Sequence, residues 1–84
     1  MTTWRQEIET ERNRRGDGPI LTQTLSGDEL DLEFDNDYGL SNGKPFTAWS
    51  AVRVYFPAVY DGAEWCASAP RNPSDEVTSH VGGE

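Results

Sequence analysis

The sequence holds a single cysteine, Cys66, so no intramolecular disulfide can form, and a reducing compartment suits the chain. It also holds a single lysine, Lys44, and a single histidine, His80. One cysteine and one histidine cannot complete a four-ligand zinc site. A Cys–His nucleophile pair needs a fixed histidine, and His80 lies in a stretch from 74 to 84 whose only apolar side chains are Val77 and Val81. No apolar run approaches the ~20 residues of a membrane-spanning helix, and the N-terminus lacks the basic-then-apolar pattern of a secretory signal. A cytoplasmic location is therefore expected. There is no glycine-rich phosphate loop, no G-x-S-x-G and no H-E-x-x-H. With 84 residues, of which 35% are hydrophobic, the chain has little material for both a core and a deep substrate cavity. An enzyme is not expected, and neither is a cofactor.

Acid is abundant. The net charge is −8, and it is unevenly spread. Residues 1 to 15 set three acids against four bases, a balance of +1, whereas the remaining 69 set twelve acids against Lys44, Arg53 and Arg71, a balance of −9. Such a surface repels nucleic acid and anionic membranes and draws basic proteins, most strongly at low salt. The densest part runs from Asp28 to Asp37, with six carboxylates and no base: Asp28, Glu29, Asp31, Glu33, Asp35 and Asp37. Leu30, Leu32 and Phe34 are threaded through it, so the segment folds against a core rather than trailing as a solvated tail.

The order of elements reads as an α+β domain over 1–73, with helices on one face of a small antiparallel β-meander, and a mobile tail over 74–84. A helix is expected over 3–15. Thr3 and Gln6 form a capping box, acids lie early and bases late, Trp4 and Ile8 make a narrow apolar stripe, and Gly16-Asp17-Gly18-Pro19 ends it. Residues 20 to 25 are a short apolar approach. Over 27–36 two patterns compete. Ser26 and Glu29 form a second capping box, with Leu25 and Leu30 placed as a hydrophobic staple, while Leu30, Leu32 and Phe34 alternate with acids as in a strand. The start signals and the poor strand propensity of Asp and Glu favour the helix. Residues 35 to 45 are dense in turn formers.

Asp61-Gly62 is the favoured two-residue hairpin turn and joins strands over 52–60 and 63–69. It fixes the register: Tyr60 opposite Ala63, Ala58 opposite Trp65, Phe56 opposite Ala67, Val54 opposite Ala69. Val54, Phe56, Ala58, Tyr60, Trp65 and Ala67 then share one face, expected to be core. Arg53, Tyr55, Pro57, Val59, Glu64, Cys66 and Ser68 share the other, expected to be half-exposed. Residues 46 to 49 add a third strand, and Pro57 must sit past its end or at a bulge, because it has no N–H to give.

Four groupings bear on chemistry. The acidic run is the first. Alternate residues of a strand lie about 6.8 Å apart, close to the roughly 7 Å between phosphates along one DNA strand, and a helix offers a similar row at i, i+3 or i+4. Carboxylates so spaced suit the Arg and Lys side chains that a nucleic-acid-binding protein keeps for phosphates. The plain alternative is a solvated acidic face that serves solubility or a saline habitat, in a structural or housekeeping module. The second is Asp35-Asn36-Asp37-Tyr38-Gly39, which resembles the start of a calcium loop. An EF-hand needs Gly at the sixth position and Glu at the twelfth, and frames begun at Asp35 or Asp31 have neither, so no metal is expected. The third, Cys66 with His80, fails as above. The fourth is an apolar anchor of Trp49, Tyr55 and Val59 beside the acids, of the kind that carries binding energy at protein interfaces.

In size, in charge and in the Asp28–Asp37 run the chain resembles small acidic proteins encoded by phages and mobile elements, which include inhibitors of restriction enzymes and of uracil-DNA glycosylase and anti-CRISPR proteins. The stretch from Phe46 through Val54-Tyr-Phe-Pro and Tyr60-Asp-Gly-Ala-Glu-Trp to Pro73 is similar to uncharacterised phage proteins. The resemblance implies a non-enzymatic inhibitor that mimics DNA, with the six carboxylates contacting a basic nucleic-acid-binding protein.

Overall fold

The computed structural model describes residues 1–36 and 42–82. The architecture is α+β: helix α1 (Trp4–Arg15), strand β1 (Thr22–Gln23), one-turn helix α2 (Gly27–Leu30), and strands β2 (Ala48–Trp49), β3 (Arg53–Tyr60) and β4 (Ala63–Pro70). The four strands form one antiparallel sheet in the order β1-β2-β3-β4.

Helix α1 starts and ends where its sequence dictates. The Thr3 side chain accepts from the Gln6 N–H and the Gln6 side chain from the Thr3 N–H, and Gly16 caps the far end. The buried stripe is Trp4, Ile8 and Glu11, so a carboxylate takes the third apolar position.

The hairpin has the expected register at every pair, from Tyr60–Ala63 to Arg53–Pro70. Asp61 and Gly62 both have positive φ, 52° and 85°, as the tight turn between twisted strands requires. Pro57 causes no loss: β2 pairs with β3 only at Val54 and Tyr55, so Pro57 lies past its end. The apolar approach over 20–25 supplies one strand the sequence did not announce, β1, with Thr22 opposite Trp49.

Two expectations are corrected. The first concerns 27–36, which is neither one helix nor one strand. The reciprocal Ser26–Glu29 bonds start α2, and Asp31 ends it after one turn. The chain then extends, and Phe34 exchanges both backbone bonds with Thr2 (3.0 and 2.9 Å). Leu32, inward on the strand pattern, is 55% exposed. That tertiary bond to the N-terminus overrides the helical start.

The second is the identity of the core face. Tyr55, Cys66 and Ala48 belong to the core with Trp4, Ile8, Leu25, Leu30, Phe34 and Phe46. Arg53, Glu64 and Ser68, on the same side of the sheet, are buried with them. The helices cover this inner face. On the opposite, outer face, Ala58 and Ala67 are buried as expected, but Tyr60 is exposed, Trp49, Val54, Phe56 and Trp65 are only half-buried, and none of these joins the core cluster. The inversion holds because each buried polar group has a partner. Arg53 Nε donates to Ser68 Oγ (2.8 Å), Ser68 Oγ to Glu11 Oε2 (2.7 Å), and Glu64 accepts the N–H groups of Asn42 and Gly43. Phe56→Ala should accordingly cost about 1–2 kcal/mol, well short of a core deletion, in a urea titration of dilute protein. A loss above about 3 kcal/mol would return Phe56 to the core.

Candidate functional site

The acidic corner is built on the start of α2 and the extended segment after it. Leu25 and Leu30 are both buried, as a hydrophobic staple requires, and pin this turn to the core. Glu29 accepts from the Ser26 N–H (2.9 Å) with one oxygen and from Lys44 Nζ (2.9 Å) with the other. The Ser26 N–H, with Lys44 next in importance, pulls its pKa down to about 2. Asp31 takes both donors of the Arg5 fork, Nε at 2.6 Å and Nη2 at 3.2 Å, and this bond holds its carboxyl below the usual range. Asp28 is exposed, and Glu33 and Asp35 are exposed on either side of buried Phe34. Asp37 lies outside the described residues. Among the described carboxylates of the run, Glu29 and Asp31 bind cations of the chain itself.

The bases show a pattern of which sequence reading had only the Glu11–Arg15 attraction at i,i+4. Arg5 pairs with Asp31, Arg12 with Glu9, Arg14 and Arg15 with Glu11, Lys44 with Glu29, and Arg53 with Glu76. The remaining base, Arg71, donates to the Ser50 carbonyl (2.9 Å). The i,i+3 and i,i+4 spacings in α1 were a readable signal for three of these pairs. The groove beside α1, about 260 Å³ and lined in part by Arg5 and Arg12, is fronted by cations already bound.

The anchor is corrected. Tyr55 is fully buried at 0% exposure, and its hydroxyl donates to Asp17 Oδ2 (2.5 Å), which also accepts from Ser50 Oγ (2.5 Å). It cannot touch a partner. Trp49 does stand half-exposed, but on the outer face, across the sheet from Tyr55. Val59 is on the side of Tyr55, so the three form no single anchor.

Catalytic groupings are thin. Cys66 is buried, and burial first, then the charge of Glu11, raises its pKa well above the ordinary value, so it is an inert thiol. Among the described residues no three His, Cys, Asp or Glu side chains gather as a metal ion would need. Among the same residues no helix is long and apolar enough to cross a membrane. No protein-family model, curated protein or solved structure matches the chain.

Proposed function

We propose that this protein is a non-enzymatic acidic inhibitor that occupies the basic, nucleic-acid-binding surface of a larger protein by DNA mimicry, as in phage counter-defence of the anti-CRISPR kind. The observation that carries the reading is the fate of the bases. Six of seven are held in ion pairs within the chain, while Asp28, Glu33 and Asp35, close in sequence around α2 and the segment after it, are exposed. What faces a partner there is negative. Glu29 and Asp31 can join them, because solvent-screened surface pairs such as theirs are weak and exchange for a partner's Lys or Arg at little cost.

The test compares the immobilised protein with its Glu33→Lys/Asp35→Lys variant for capture of nucleic-acid-handling proteins from bacterial lysate, with duplex DNA as competitor. The unmodified protein should capture at low salt and release as salt rises, since the charges are screened over about 10 Å at 0.1 M. The double reversal should weaken binding about tenfold or more, with the fold intact by circular dichroism. Glu7→Lys/Glu9→Lys, on the charge-balanced helix, should weaken it much less. Unchanged affinity after the double reversal at 33 and 35, or DNA bound together with this protein on one target, would overturn the reading. The acidity would then serve solubility in a structural or housekeeping module.

A further inference from the structure

We infer that the Arg53 guanidinium is a binding site for a carboxylate on a short aliphatic stem, filled in cis by Glu76 of the C-terminal tail and open to takeover by a carboxylate from outside. The site does not involve the acidic run, and the inference goes beyond the inhibitor reading.

The folded body, not the tail, sets the guanidinium in place. Arg53 is 8% exposed. Its N–H donates to Ser50 Oγ (2.9 Å), and its C=O accepts from the Ser50 N–H (3.0 Å). Its Nε donates to Ser68 Oγ, which donates on to Glu11 Oε2. Side chains of β4 and α1 thus hold the inner side of the group. The two outer nitrogens are left for a ligand. Nη1 donates to Glu76 Oε1 (2.9 Å) and Nη2 to Glu76 Oε2 (3.0 Å), the parallel pair of bonds that matches a planar carboxylate.

Local charge agrees. Glu11 serves three cations, Arg14 and Arg15 directly and Arg53 through Ser68. Asp17 is the other acid that acts on Arg53, and its Oδ2 is engaged by Ser50 and Tyr55. Two acids against three guanidiniums leave an excess of positive charge here, on a chain whose net charge is −8. Glu76 is what cancels it.

The present occupant is lightly held. Residues 71–81 are all exposed, and none joins the core cluster. Val77, next to Glu76, is 90% exposed. Farther on, Gly82 lies close against β3, where a Cβ would come within 2.7 Å of the Val59 carbonyl oxygen. Ordering this exposed backbone costs entropy, and a half-exposed ion pair offsets little of it. Beside the guanidinium is a cavity of about 320 Å³. Val52, Pro70 and Pro73 give it apolar walls and Asn72 and Ser74 polar ones, which suits an aliphatic stem behind the carboxylate.

NMR titration of the full chain with propionate tests this, at constant ionic strength with chloride as control. The readouts are the Arg53 Nε–H and the amides of Val59 and of residues 74–82. Glu76→Gln, on the exposed tail, empties the site without touching the core. In that variant propionate should move the Arg53 Nε–H along a saturating curve. The unmodified chain should need about tenfold more propionate, because tethered Glu76 competes at an effective concentration in the millimolar range. Its tail and Val59 amides should shift as the site fills. A synthetic peptide of residues 72–80 separates the sources: binding tighter than propionate points to a protein segment, and equal binding to a free small carboxylate. No saturation in Glu76→Gln overturns the inference. So do equal responses to chloride and propionate, tighter binding of inorganic phosphate, or identical titrations of the variant and the unmodified chain. None of these results touches the charge-reversal test above.

Discussion

Trp4→Ala should lower the unfolding free energy by about 3–5 kcal/mol, a large part of what a domain of this size has. Trp4 is 2% exposed and joins the two halves of the core. Its ring packs on Phe34 and on Phe46, each with centroids 4.7 Å away, and its Nε1 donates to the Lys44 carbonyl (2.9 Å). Alanine removes both ring contacts and strips that carbonyl of its donor. Trp4→Phe keeps most of the packing and should lose much less. The same site predicts an unusual glycine effect. A Cβ on Gly43 would lie 2.6 Å from Trp4 Cζ2, so Gly43→Ala must push a rigid, buried ring. It should cost about 1–3 kcal/mol although it adds a single methyl. Urea midpoints at constant m would check both, and a Trp4→Ala variant as stable as the parent would refute this account of the core.

Glu11→Ala should cost about 2–4 kcal/mol, since it takes the acceptor from a buried network. Glu11 is 2% exposed, although Arg14 and Arg15 fan out over it towards solvent. Burial alone would raise its pKa, but the bonds from Ser68, Arg15 and Arg14 outweigh that and leave it lowered. Glu9, Asp17 and Glu76 are lowered as well. The sign follows by linkage. A carboxyl with a depressed folded pKa contributes stability that is complete above its unfolded value, near 4.5 for Glu, and is lost as pH falls through the folded value. Stability should be flat from about pH 8 to pH 5 and fall below about pH 4. Glu11→Gln should flatten that acid limb. Denaturant titrations across pH 3–7 measure it, and an unchanged slope in Glu11→Gln would remove Glu11 from the linkage.

The elements that were legible in the sequence are those specified within a few residues. Thr3 and Gln6, Ser26 and Glu29, and Asp61-Gly62 each fix a local geometry, and each geometry is present. The choice of core face was not legible. Both faces of the hairpin carry apolar residues, and Arg53, Glu64 and Ser68 argue for the exposed side. Their partners lie far along the chain: Glu76, 23 residues from Arg53, Asn42, 22 from Glu64, and Glu11, 57 from Ser68. No periodicity reports such partners. The early end of α2 was hidden for the same reason, because Phe34 pairs with Thr2. For the acidic run the sequence showed where the carboxylates cluster. It did not show that Arg5 and Lys44 come back to two of them.

The docking of α1 on β4 also bears on how the chain folds as it is made. A 12-residue helix is marginal alone in water, and its buried stripe has a carboxylate in it. Its partner Ser68, with the core side of β4, is synthesised 57 residues after Glu11. During translation, at about 5–20 residues per second, the first helix must wait for seconds with Trp4 and Ile8 uncovered. Contacts this distant in sequence also belong to the slow, millisecond-to-second class of folding. The charged N-terminal segment, whose four arginines and three glutamates keep it hydrated, suits that waiting period. A ribosome-bound fragment ending before β4 should leave α1 undocked, and the cooperative native state should form only when the hairpin is released whole.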